Sequence, residues 1–220
     1  MPDGIAQETR PALHHHFDSL EQQYEAASLG MWVFLATEVL FFGGLFLTYL
    51  VYRLWYPQEF REASRTLDLF WGTINTVVLI TSSLTMALAV AAAQEGHRSK
   101  TTMFLLVTML LGAAFLGVKA VEYLHKFAEH HVPGPGFTFE GEHPDHAQIF
   151  FSLYFLMTGL HALHMVIGLG VLAVMAIMAR RGRFSAAYST PVEVAGLYWH
   201  FVDIIWIFLF PLLYLISRHQ

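Results

Sequence analysis

Glu38 stands inside Leu29–Tyr52, an apolar run of 24 residues that holds no other charged side chain. A carboxylate at bilayer mid-depth costs roughly 2.5–3.5 kcal/mol on insertion scales, so such a residue implies a polar partner, a protein interface or trapped water. Phe34, Phe41 and Phe42 fall at helical neighbour positions and make the surroundings poorly hydrated, which disfavours the charged form. Glu38 is therefore expected to be a neutral acid. It either handles protons and touches a partner, or bonds a neighbouring helix with no role in transport.

Other titratable side chains recur at a spacing of three. His161 and His164 share a helix face near mid-membrane, His200 and Asp203 do so in the last apolar run, and Lys119 and Glu122 could pair near the outer end of the third. Imidazoles on two helices can ligate a haem or another metal. A hydrogen-bonded polar seam is the plainer outcome, with Asp203 the natural partner of His200. Outside the apolar runs, His125, His130, His131, His143 and His146 gather with Glu129, Glu140, Glu142 and Asp145. Their spacings match no standard zinc site, and a solvated, proton-exchanging surface is expected. His14–His16 are too isolated to name as a site.

Five runs must position these groups: 29–52, 69–93, 102–124, 149–178 and 194–217. Each is long enough for a bilayer, which needs about 20 apolar residues. Backbone in lipid must satisfy its own hydrogen bonds, so the runs are expected to be helices, and the fold class an all-α, polytopic bundle of five transmembrane helices. The composition agrees, at 55% hydrophobic and 13% charged residues. Residues 1–28 form a polar segment unlike a signal or Arg-rich transit peptide, 29–217 the transmembrane domain, and 125–148 a His-rich outer loop that Pro133-Gly134-Pro135-Gly136 keeps from being helical throughout. The connection at 56–68 is polar and expected at the surface. Pro211 is expected to bend the last helix. Small and polar residues at spacing seven, Gly30, Thr37 and Gly44 in the first run and Asn75, Ser82 and Ala89 in the second, suit close helix packing, within the chain or on a larger partner. With the N-terminus inside, the inner connections carry Arg10, Arg98, Lys100, Arg180, Arg181 and Arg183, and the outer ones Arg53, Arg61, Arg65, Lys126 and Arg218. The compact 180–183 cluster favours that orientation.

Several classes are excluded. A net charge of −5 argues against nucleic acid. The absence of cysteine removes disulfides, thiolate metal sites and the dinuclear copper electron-entry site. A haem–copper catalytic core needs more membrane-embedded histidine ligands than the three at that depth, so any role in such an enzyme is auxiliary.

The motifs themselves resemble subunit III of the haem–copper respiratory oxidases (the cytochrome c oxidase subunit 3 family) in its short five-helix form. The matching residues are Leu29-Gly30-Met31, Thr37-Glu38-Val39-Leu40-Phe41-Phe42, Asn75-Thr76, Glu95-Gly96, Glu122-Tyr123, Thr158-Gly159-Leu160-His161-Ala162-Leu163-His164 with Ile167-Gly168, and Tyr198-Trp199-His200-Phe201-Val202-Asp203 with Trp206. They occur in family order from Leu29 to the C-terminus. The resemblance implies a subunit of a proton-pumping terminal oxidase with no catalytic residue, metal or redox cofactor of its own. It would lie in the bacterial inner membrane with its C-terminus periplasmic, bound to the catalytic subunit I and near subunit II, the haems and copper being theirs. It also implies support of proton uptake, of active-site durability and of bound phospholipid. Glu38 looks like the family's buried glutamate facing subunit I; His161, His164, His200, Asp203 and Glu122, with Lys119 beside it, look structural or lipid-related. Longer members have two further N-terminal helices that complete a lipid-filled cleft, and this chain lacks them. Cytochrome c oxidase is favoured over quinol oxidase or a nitric oxide reductase accessory protein. A self-contained b-type cytochrome or metal-dependent membrane enzyme, using His161, His164 and His200, is the reading from another class.

Overall fold

A computed structural model describes residues 17–141, 143–186 and 188–216. His14–His16 and Glu142 lie outside the described residues. The chain forms α1 (Leu20–Trp55), α2 (Pro57–Arg65), α3 (Leu69–Gln94), α4 (Arg98–Ala128), α5 (Pro144–Arg180) and α6 (Thr190–Tyr214). Among the described residues, all but α2 are long and apolar enough to cross a membrane. At about 1.5 Å rise per residue, the 37 residues of α5 make a rod far longer than the roughly 30 Å hydrocarbon core, so its ends stand in water.

Local chemistry sets the ends. Ser19 Oγ accepts from the Gln22 amide at 3.1 Å and starts α1 well before the apolar run. Asp68 accepts from the amides of Phe70 and Trp71 at 2.9 and 3.3 Å and starts α3. Pro57, Pro144 and Pro191 open α2, α5 and α6, where a missing N–H costs nothing. α3 closes on Gly96 (φ 75°), with the His97 amide bonded to Ala92 O and the Gly96 amide to Ala93 O. This turn requires a left-handed residue, which glycine adopts without steric cost.

Three expectations need correction. The outer loop is shorter than 125–148: α4 continues to Ala128 and α5 begins at Pro144, leaving 129–143 irregular. Proline is tolerated in a first helical turn, so Pro144 admits a helix that Pro133 and Pro135 forbid. The connection at 56–68 is not merely a surface loop. It holds α2, which buries Phe60, Ala63 and Ser64 against one end of the bundle. Phe60 packs on Tyr49 and Phe150. The last run is also cut short, α6 continuing through Pro211 but ending at Tyr214.

α6 is the centre. It packs on α1, α2, α3 and α5, and 56% of its most apolar stretch is buried, against 17% for α1. Its final carbonyls have no helical partner, and hydroxyls of other elements bond them: Tyr49 to Leu212 O, and Ser64 to Leu213 O at 2.7 Å. The Trp199 indole lies between two glycines; a Cβ at Gly112 would stand 2.7 Å from its ring and one at Gly168 3.0 Å. Its Nε1–H donates to Ser82 Oγ at 2.9 Å. One side chain of α6 thus fixes the approach of α3, α4 and α5.

The two small-residue stripes have different fates. Asn75, Ser82 and Ala89 are buried. Gly30, Thr37 and Gly44 are exposed, and a Cβ at either glycine would meet nothing within 4 Å.

Replacing Gly112 by Val should displace the Trp199 indole and prevent accumulation of folded chain. Trp199→Ala, which leaves a cavity and takes the indole donor away from Ser82 Oγ, should cost about 3–5 kcal/mol. The yield of folded chain tests the first and thermal unfolding in mild detergent the second; normal accumulation of the valine variant or an unchanged midpoint for the alanine variant contradicts the packing described.

Candidate functional site

The charged pair in α4 is buried inside the bundle. Lys119 Nζ lies 3.1 Å from Glu122 Oε2, with side-chain exposures of 5% and 8%. Lys119 also donates to the hydroxyls of Tyr154 on α5 and Tyr214 on α6, each at 3.0 Å. Those hydroxyls in turn donate to Glu122 Oε1, the Tyr154 bond at 2.7 Å. The rings of Tyr123, Tyr154, Trp206 and Tyr214 stand 4.9–5.7 Å from the ammonium. A buried charge is tolerated only when paired and hydrogen-bonded, and this one has a counter-ion, two hydroxyls and an aromatic cage.

Glu38 has a partner within the chain. Its Oε2 lies 3.2 Å from His164 Nε2, and His164 Nδ1 lies 2.8 Å from Leu160 O. A carbonyl only accepts, so Nδ1 carries a proton. Nε2 then either accepts from a neutral Glu38 or, as imidazolium, donates to its carboxylate. Phe42 lies edge-on to His164 at 5.4 Å.

The histidines at three-residue spacing do not act together. His161 is fully enclosed between Phe115 and Trp206, and neither ring nitrogen has a hydrogen-bond partner. His200 does not pair with Asp203; its Nδ1 lies 2.8 Å from Ser83 Oγ on α3. At i,i+3 the two side chains diverge enough for α3 to take one, and the Asp203 carboxyl oxygens are left without a bond. Three imidazoles in three settings do not fit a haem or a shared metal. Among the described residues, no three His, Asp or Glu are grouped to hold a metal ion.

The outer-face residues divide as well. Lys126, itself buried, donates to Thr66 O at 2.8 Å and to Glu129 at 2.6 Å, tying α4 to the end of α2. Burial raises the Glu129 pKa, but Lys126 and His131 outweigh it and hold the carboxyl below its ordinary value. Burial, then the Lys126 charge, lowers His131 against the opposing pull of Glu129. His146 stacks on Tyr56 at 3.8 Å and bonds Glu59 at 3.1 Å, which lowers the Glu59 pKa.

Sequence reasoning missed Tyr154, Tyr214, Ser83 and the Trp199–Ser82 bond. The available signal was the polar tip of each residue inside an otherwise apolar run.

The whole chain matches a known pattern. The family model for cytochrome c oxidase subunit III covers residues 13–218. The cytochrome c oxidase subunit 3 of Thermostichus vulcanus is 38% identical over 191 residues, 86% of this chain and 87% of that protein. That of Alkalihalophilus pseudofirmus is 31% identical over 96% of this chain and 97% of its own length. The cytochrome bo(3) ubiquinol oxidase subunit 3 of Pseudomonas aeruginosa is 31% identical over 92% and 91%.

Lys119→Met should destabilise the bundle by about 3–5 kcal/mol, because it strands the Glu122 charge, while adding Glu122→Gln should recover most of that loss. Unfolding in mixed micelles tests this, and additive losses contradict the coupling. The outer face should loosen with acid. His131, Glu59 and Glu129 all have lowered folded-state pKa values, so their contributions are complete above the unfolded values of 6.5 for His131 and 4.5 for both Glu59 and Glu129. Each is lost as pH falls through its own folded value. Amide exchange over 129–143 should accelerate below pH 6.5 and again below 4.5; exchange with no pH-dependent change in protection contradicts the assignment.

Proposed function

The chain belongs to the cytochrome c oxidase subunit III family, and from that premise we propose that it is the non-catalytic third subunit of a proton-pumping cytochrome c oxidase. An oxidase subunit III is a multi-pass membrane component of a respiratory complex. In this reading the chain lies in the bacterial cytoplasmic membrane with its N-terminus inside. It binds the catalytic subunit I, with subunit II in the same assembly, and supports proton uptake, lipid retention and durability of the active site. The haems and copper are the partners', and this chain supplies no ligand to them.

The observation that carries the reading is α1. It is a membrane-length helix with 17% of its most apolar stretch buried, an outer face open along Gly30, Thr37 and Gly44, and Glu38 beside His164 at its core side. A helix so little covered by its own chain suits a second protein surface, and small residues allow close backbone approach there. The Glu38 carboxyl, 3.2 Å from His164, suits a group near the mouth of a proton path. His161, Lys119, Glu122, His200 and Asp203 are structural in this account.

Quinol oxidase is the second reading. It rests on relatives named as quinol oxidase subunits, from Pseudomonas aeruginosa at 31% and Bacillus subtilis at 29% identity.

Purification through this chain in mild detergent should bring down a haem-bearing partner, and a reduced-minus-oxidised spectrum should show haem in the complex and none in the separated subunit. Haem that stays with the folded, isolated chain overturns the proposal; oxidation of cytochrome c or of a quinol by the complex separates the two readings. Glu38→Gln keeps a hydrogen bond to His164 and should preserve assembly, whereas Glu38→Lys puts an ammonium at membrane depth without a counter-charge and should abolish it. Removal of the subunit should leave initial turnover nearly intact and shorten the active lifetime; an enzyme indifferent to removal contradicts the supporting role.

A further inference from the structure

Asp203 is 3% exposed, and neither of its carboxyl oxygens has a hydrogen-bond partner. It lines a recess of about 250 Å³ between α3 and α6. The other hydroxyls on that recess are engaged: Thr76 donates to Gly72 O at 2.9 Å and accepts from Trp206 Nε1 at 3.1 Å, and Ser83 bonds His200. A carboxyl in apolar surroundings without a partner costs several kcal/mol. Ser83, already bonded to His200, can turn at most one proton to the Asp203 carboxyl, so the recess has room for a hydrogen-bonding group from outside this chain.

The recess opens onto a groove. α1 and α3 both pack on α6 and do not touch one another. Between them α6 presents Ile204, Ile207 and Phe208, about half exposed. At the inner end the groove widens into a second recess of about 400 Å³, walled by Trp32 on α1 and Val90 on α3, and His200 lines both recesses.

We propose that this groove seats a transmembrane helix of a partner subunit, whose amide, hydroxyl or cationic side chain bonds Asp203. Depth selects that occupant. Asp203 sits near the middle of α6, roughly 15–20 Å from either end at about 1.5 Å per residue, beyond the reach of a lipid headgroup at the membrane surface. An acyl tail reaches but offers no polar group. The apolar strip of α6 on both sides of Asp203 suits a helix with one polar residue among apolar ones. This surface is separate from the outer face of α1, and the inference stands whichever oxidase the chain serves.

The test is a photo-crosslinking residue, p-benzoylphenylalanine, at Ile204 in the complete complex in native membranes. The expected product joins this chain to a membrane-spanning peptide of another subunit, with a hydrogen-bonding side chain within one turn of the attachment point. Its yield should fall at least tenfold with Asp203→Leu and persist with Asp203→Asn. Should Asp203→Leu fail to accumulate, Ile207→Trp fills the groove from an already exposed position and should remove the adduct at normal subunit levels. Adducts with lipid alone, no adduct, a second copy of this chain at the site, or a helix adduct indifferent to these substitutions overturns the proposal. Co-purification with a haem-bearing partner through α1 is read separately, so failure here leaves that reading standing.

Discussion

Lys119 cannot be placed in this bundle without also placing Glu122, Tyr154 and Tyr214. An ammonium out of water loses several kcal/mol of solvation, and the loss is recovered only where a counter-charge and hydroxyls meet it at hydrogen-bond distance. The four residues come from α4, α5 and α6, so the electrostatic requirement of one side chain sets the rotation and depth of three helices. Packing then completes what the ion pair begins. The Trp199 indole fills the slot between Gly112 and Gly168 and reaches Ser82, bringing α3 to the same axis.

The same rule extends to backbone groups at the outer end. α6 finishes with carbonyls that have no helical donor, and Tyr49 and Ser64 supply hydroxyls to them. Lys126 does likewise for the end of α2. α2 is therefore a cap that closes the bundle where the long helices leave the membrane, and Phe60 gives it an apolar anchor.

Satisfaction is uneven. It is complete at Lys119 and Glu122, made by a single contact at Glu38 and His164, poor at Asp203 and absent at His161. α6 is mostly enclosed, whereas α1 shows most of its surface to the outside. A membrane subunit that binds other subunits needs faces of this kind, and the Asp203 carboxyl of α6 lies where its own chain leaves a groove. The three intramembrane histidines are dispersed into separate settings and do not converge on one site.

The sequence by itself determined the number and type of the spanning elements, because apolar runs of this length have no solution in lipid other than helices. It also determined the family, since Thr158–His164 and Tyr198–Asp203 are specific strings in a specific order. Lys119 and Glu122 were legible as a pair because three residues apart is a neighbour distance on any helix. Their tyrosines were not, nor was Glu38 with His164 or His200 with Ser83, because those contacts join helices and depend on rotation about each axis. A spacing of three places two side chains on one face but leaves open which neighbouring helix each meets, and so Asp203 lost the histidine that its sequence position offered. α2 was hidden for a related reason. Its polar composition reads as surface, and only the exposed end of the bundle reveals that Phe60, Ala63 and Ser64 have something to bury against.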